Sequence, residues 1–86
     1  METISVRVRY FASARAAAGV EEEKLQLAAN TTVAGLKAEL ARLHPEGLPK
    51  ILLAAGFLLD GVAVRDVTRV LEDSAEIDVL PPFAGG

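Results

Sequence analysis

Ile4-Ser5-Val6-Arg7-Val8-Arg9-Tyr10 alternates apolar and polar residues without a break. Successive side chains of a strand point to opposite faces of a sheet. The stretch therefore predicts a half-buried strand, with Ile4, Val6, Val8 and Tyr10 facing inward and Arg7 and Arg9 on the opposite face. Its counterpart lies near the other end of the chain. Residues 75–80 place Ile77 and Val79 on one face, and Pro81-Pro82 ends the strand because neither proline can donate to a sheet ladder. These two strands are the best patterned in the sequence, and they are expected to pair at the centre of one sheet.

The segments between them fill in the architecture. Residues 11–18 are rich in alanine, carry Arg15 and stop at Gly19, which predicts a short helix with a glycine terminator. Residues 20–27 read as a second strand, its acidic start Glu21-Glu22-Glu23 solvated and Leu25 and Leu27 inward. Asn30-Thr31-Thr32 signals a helix start, since a threonine hydroxyl can accept from an unpaired N–H of the first turn. Val33, Leu36, Leu40 and Leu43 then share one helical face. The helix should end near His44, because Pro45 restricts the residue before it. Gly35 costs this helix about 1 kcal/mol relative to alanine, and close approach of the first turn to a sheet is the expected reason.

Residues 45–49 read as a connection, and the apolar run 51–59 as a strand, continuous or broken at Gly56. Asp60-Gly61 predicts a type I′ hairpin, whose two central residues need positive φ. Residues 66–74 read as a crossing segment with a helical turn near Val70. This order predicts an α+β fold of the ubiquitin-like β-grasp type: a mixed, mostly antiparallel sheet with one parallel pair and one main helix packed across it. Residues 1–80 are expected to form the domain and 81–86 a flexible tail.

Composition narrows the chemistry. The chain has 86 residues, enough for one domain, and 51 % are hydrophobic, enough for one core. The absence of cysteine excludes disulfides, thiolate metal sites and cysteine nucleophiles. A net charge of −3 argues against binding nucleic acid through bulk charge. The longest apolar run is far short of the ~20 residues of a membrane span, and no targeting segment is visible, so a cytoplasmic location without membrane association is expected. His44 is the lone histidine; it reads as a partner of the helix C-terminus or of solvent, and no metal site is expected. Ser5, Ser13 and Ser74 have no triad context, and the glycines form no phosphate-binding motif.

The chemistry-bearing element is the terminus, Pro81-Pro82-Phe83-Ala84-Gly85-Gly86. A double proline stiffens the exit from the last strand, and two residues without side chains then carry the α-carboxylate. A carboxylate becomes an electrophile once its oxygen belongs to a leaving group, as in an acyl-adenylate. An enzyme forming one must draw the terminus into a narrow channel, which glycine can thread because it lacks a Cβ.

Three stretches resemble the ubiquitin-like sulfur-carrier family to which the small subunits of molybdopterin synthase belong. They are Val6-Arg7-Val8-Arg9-Tyr10-Phe11-Ala12 with Arg15, the helix over residues 32–43, and the terminal run from Asp73 through Pro81-Pro82 to Gly85-Gly86. One departure is Asp73-Ser74-Ala75-Glu76, where the family carries Asp-Gly-Asp-Glu. The resemblance implies that this chain supplies the reacting group and no acid–base residues of its own, and that it binds no cofactor. It further implies that an activating enzyme using ATP and Mg would adenylate Gly86 and that a sulfur donor would convert the adenylate to a thiocarboxylate. The tail (Pro81, Pro82, Phe83, Gly85) would then enter the large subunit of a heterotetrameric synthase, where the sulfur would pass to precursor Z in molybdenum cofactor biosynthesis. Matching by position implies a docking patch of Phe11, Val64 and Leu80, with Arg15 beside it. The alternatives are a sulfur carrier for cysteine, thiamine or tRNA thiolation, a ubiquitin-like protein modifier, or a non-covalent interaction module.

Overall fold

The computed structural model describes residues 2–82. Its elements are β1 (Thr3–Tyr10), α1 (Ala12–Ala18), β2 (Glu22–Ala28), α2 (Val33–Leu43), α3 (Leu48–Leu52), β3 (Gly56–Leu59), β4 (Val62–Ala63) and β5 (Glu76–Leu80). The strands form one sheet in the order β2-β1-β5-β3-β4. Only the central β1–β5 pair is parallel, and the other neighbours run antiparallel. This is the ubiquitin-like β-grasp.

The inward residues of β1 are buried, as the alternation requires. They share one core with Ile77 and Val79 of β5, Phe57 and Leu59 of β3, and Val33, Leu36 and Leu40 of α2. Ala14 of α1 and Leu48 and Leu52 of α3 complete it, so the helices cover one face of the sheet and leave the other uncovered. No helix among the described residues is long and apolar enough to cross a membrane.

Two turns fix the start of β5. The Ser5 N–H donates to Asp73 Oδ1 at 2.8 Å, and the Ser74 N–H donates to the Ser5 carbonyl at 2.7 Å. From the other side, the Glu76 N–H donates to Asp60 Oδ1 at 2.9 Å and the Asp60 N–H to the Glu76 carbonyl at 2.8 Å. Asp60 and Gly61 have φ of 49° and 85°, as a type I′ turn demands.

Several local expectations are corrected. The run 51–59 is not one strand: α3 occupies its start, and β3 begins at Gly56. Leu48 and Leu52, four apart, both reach the core, and Pro49 sits in the first helical turn, where its missing N–H costs nothing. β2 begins at Glu22, leaving Val20 exposed, and Leu25 is only half-buried. Leu43 is also exposed, because His44, four residues after Leu40, takes the inward position. A Cβ on Gly35 would meet Thr31 Cγ2 at 3.1 Å and Thr32 Oγ1 at 3.6 Å, so the crowding comes from the helix's own cap rather than from the sheet. Thr32 Oγ1 accepts from the Gly35 N–H at 3.1 Å. Val70 forms a β-bridge with Thr32 instead of a helical turn. It lies on a crossing segment whose Arg69 and Val67 carbonyls accept from the Val33 and Ala34 N–H groups.

Ser74 stands where the family resemblance implied glycine, and its φ is 68°. A left-handed conformation costs an L-residue about 1–2 kcal/mol, whereas glycine adds about 0.5–1 kcal/mol of chain entropy to overcome on folding. Ser74→Gly is therefore expected to stabilise the domain by up to about 1 kcal/mol, a rise of a few degrees in Tm. Thermal melting checks this, and a lowered Tm would show that the serine side chain contributes more than the strain removes.

Candidate functional site

β5 lies at the centre of the sheet, so the chain leaves the domain at Pro81-Pro82 from the middle of one end. Pro81 is half-buried and Pro82 exposed. The expected tail residues Phe83, Gly85 and Gly86 lie outside the described residues.

Beside the exit, register continues Tyr10↔Val79 to bring Phe11 next to Leu80. Both are half-buried on the uncovered face. Phe11 also forms the N-cap position of α1, and the next residue, Ala12, has a φ of 52°. Arg15 turns back from α1, its Nε donating to the Tyr10 carbonyl at 3.3 Å and its Nη2 lying 4.0 Å from Glu21. A shallow cavity of about 130 Å³ is lined by Arg9, Tyr10, Phe11, Arg15, Glu21 and Glu22.

Val64 does not join this group. Its N–H donates to the Phe57 carbonyl, and its side chain packs against the core on the helix-covered side. The apolar neighbour on the uncovered face is Leu58, which lies opposite Asp78 in β5 and Ala63 in β4. Leu58 was legible in principle: it stands between the buried Phe57 and Leu59, so alternation turns it outward.

Ionic contacts run across the same face. Glu22 lies 3.5 Å from Arg7, Arg7 3.7 Å from Glu76, and Glu76 3.4 Å from Arg9. These pairs are exposed, and each is worth little. The Arg9–Asp78 pair differs. Arg9 Nε and Nη2 donate to the two carboxylate oxygens at 2.7 and 2.9 Å, and Asp78 is the only buried charged residue among those described, 6 % exposed. That hydrogen bond raises the Arg9 pKa above its ordinary value. The guanidinium carbon lies 5.7 Å from the centroid of the Phe11 ring, within cation–π range. Arg9 was expected to point away from the core, and it does; the pairing with Asp78 follows only once β1 and β5 are known to be neighbours.

On the helix side, the acidic run is not uniformly solvated. Glu23 Oε2 accepts from the Tyr10 hydroxyl at 2.5 Å and lies 2.6 Å from His44 Nε2. The Tyr10 and His44 rings meet edge-on at 5.9 Å. His44 is thus part of a polar cluster tying β1, β2 and the end of α2 together, rather than a solvated helix end. Among the described residues, no three His, Cys, Asp or Glu side chains are grouped so that they could hold a metal ion.

The sequence profile of the ThiS family matches residues 8–86. This chain belongs to the ThiS family. It is a ubiquitin-like sulfur-carrier protein, consistent with a small subunit of the molybdopterin-synthase type. A molybdopterin synthase sulfur carrier subunit from Chlamydomonas reinhardtii is 31 % identical over 84 residues, covering 96 % of this chain and all of the relative. The solution structure of small archaeal modifier protein 1 from Methanosarcina acetivorans superposes with a TM-score of 0.82 at 26 % identity, covering 100 % of both chains. The complex of subunits 1 and 2 of the molybdopterin-converting factor from Helicobacter pylori contains a match with a TM-score of 0.68 at 29 % identity, covering 96 % of this chain and 100 % of that one.

Burial and the Glu23 hydrogen bond push the Tyr10 phenol well above the ordinary tyrosine range. An unfolded chain's phenol ionises near pH 10. Above that pH the unfolded state loses a proton that the native state keeps, so stability present at lower pH falls as pH rises. Tyr10 is the single tyrosine. Alkaline titration followed by tyrosinate absorbance should therefore show no ionisation until the domain unfolds, with absorbance and circular dichroism changing together. Ionisation of the folded protein near pH 10 would contradict the buried Tyr10–Glu23 contact.

Proposed function

We propose that this chain works as a sulfur carrier through the carboxylate of Gly86, and that it serves molybdopterin synthesis in the cytoplasm. In this account an ATP- and Mg-dependent activating enzyme joins Gly86 to AMP with release of pyrophosphate. A sulfur donor then displaces AMP, leaving a thiocarboxylate. The tail enters the large subunit of a heterotetrameric synthase, which supplies the acid–base groups, and the sulfur passes to precursor Z. The chain itself contributes a stable platform and a reacting terminus.

The observation that carries this reading is the position of β5. A central strand, bonded on both sides, delivers Pro81-Pro82 next to Phe11 and Leu80, so a partner seated on those apolar side chains meets the tail as it leaves the domain. The full-length similarity to the Chlamydomonas carrier subunit supports the pathway. The modifier reading, in which Gly86 is joined to lysines of target proteins, draws on the TM-score of 0.82 to small archaeal modifier protein 1. Both readings share activation at Gly86 and diverge only at the acceptor.

Incubation with the activating enzyme, ATP and a sulfur source should replace one oxygen of Gly86 by sulfur in the intact mass. Deleting Gly86 should leave the folding free energy unchanged within about half a kcal/mol, as for a substitution away from the core, and should abolish sulfur transfer. The reason is geometric: a misplacement of about one ångström can cost a hundredfold in rate. Protein conjugates in place of molybdopterin would assign the modifier role, and sulfur loading of the truncated chain would sink the carrier mechanism.

A further inference from the structure

The Arg9–Asp78 pair sits where an apolar docking face would be simplest. In register, one row across the uncovered face reads Glu22, Arg9, Asp78, Leu58 and Ala63, with Phe11 and Leu80 adjoining it toward the tail exit. A partner covering Phe11, Leu58 and Leu80 also covers Arg9, which is now half-exposed, its side chain at 39 %.

The guanidinium meets Asp78 side-on, through Nε and Nη2. Nη2 is shared further with Glu76 at 3.4 Å. Nη1 has no hydrogen-bond partner among the described residues, and its two N–H groups point away from the pair. A guanidinium cannot shed its proton, and burying its N–H donors without an acceptor forfeits their hydration with nothing in return. The partner must therefore bring an oxygen to Nη1.

The local charge decides which oxygen. Arg9 already faces Asp78 directly and Glu76 nearby, and Glu22 lies beyond Arg7. Lys24 and Arg7 balance the charge further along the face, but at Arg9 itself two carboxylates already face one guanidinium, so a further carboxylate at this point would meet Asp78 and Glu76 at close range. A neutral acceptor, a backbone carbonyl or a side-chain amide oxygen, fits without adding charge.

We propose that Arg9 is a specificity-determining residue: the protein partner that covers the Phe11–Leu58–Leu80 face seats a neutral oxygen acceptor against Arg9 Nη1, and Asp78 holds the guanidinium in the orientation that presents it. This rests on the carrier reading above, which supplies the partner. Asp78 acts through Arg9 and is a positioning residue. Partners of similar shape that offer only apolar surface at this point are rejected, because docking would strand the Nη1 donors.

The test is the affinity of the purified cognate large subunit for the wild type, for the double variant Arg9→Leu/Asp78→Leu, and for Arg9→Lys, with folding checked by circular dichroism and melting. The double variant replaces a partly buried pair by apolar groups, so that neither charge is left without its partner. It enlarges the apolar face while leaving the partner's oxygen unpaired, so association should weaken by roughly 10–100-fold. Arg9→Lys keeps the charge but not the second planar edge, and should weaken it comparably. The salt dependence of binding should be the same for wild type and double variant. Equal or tighter binding by either folded variant overturns the inference while leaving the carrier reading intact. A steeper salt dependence for the wild type identifies a carboxylate acceptor and overturns its neutral character. Absence of wild-type association overturns the carrier reading and this inference together.

Discussion

The parallel pairing of β1 with β5 is the contact on which the rest of the molecule depends. It joins segments from opposite ends of the domain, so it closes the longest loop in the sheet. Once formed, it offers a free edge to β2 on one side and to β3 on the other, and its inner face gives α2 something to cover. A parallel pair has no tight turn to set its register. Here the register against β1 is set by the Asp73-Ser74 turn gripping Ser5 and by Arg9 reaching the two oxygens of Asp78, while Asp60 gripping Glu76 sets β5 against β3. A slip by one residue would turn Ile77 and Val79 out of the core and break all three at once.

How far the sequence revealed this depended on how much of each signal was local. The alternation in residues 4–10, the Thr32 cap and the Asp60-Gly61 turn are written in a few consecutive residues, and each forms as expected. The short α3 was not legible, because residues 51–59 are apolar at nearly every position and carry neither a period of two nor of 3.6. What settles it is tertiary: Leu48 and Leu52 fill one end of the core. His44 was misjudged for the same reason, since its partners Glu23 and Tyr10 are distant in sequence.

The candidate site shows the same division. Phe11 and Leu80 could be placed on one patch from strand alternation and the central pairing. Val64 was assigned there by position in the resemblance alone; the hairpin register puts it on the helix-covered face, and Leu58 is the residue of that hairpin that shares a face with Phe11 and Leu80. Asp78 stands between two core residues of β5, and its significance emerges only when Arg9 is seen beside it. The uncovered face therefore combines a small apolar surface with a partly buried ion pair, and in the reading proposed above the pair restricts which partner can occupy it.

The central place of β5 also has a mechanical meaning. In the carrier reading proposed above, an enzyme that draws the tail into a channel while another surface holds the domain would pull on β5 along its own axis. The hydrogen bonds to β1 and β3 lie across that direction, so the load falls on both ladders in shear, and the bonds must give way together rather than one after another. An edge strand peeled from its end would unzip under a far smaller force. The arrangement that brings the terminus out beside Phe11 and Leu80 thus also makes the domain a firm handle, able to be tugged by its tail without unravelling.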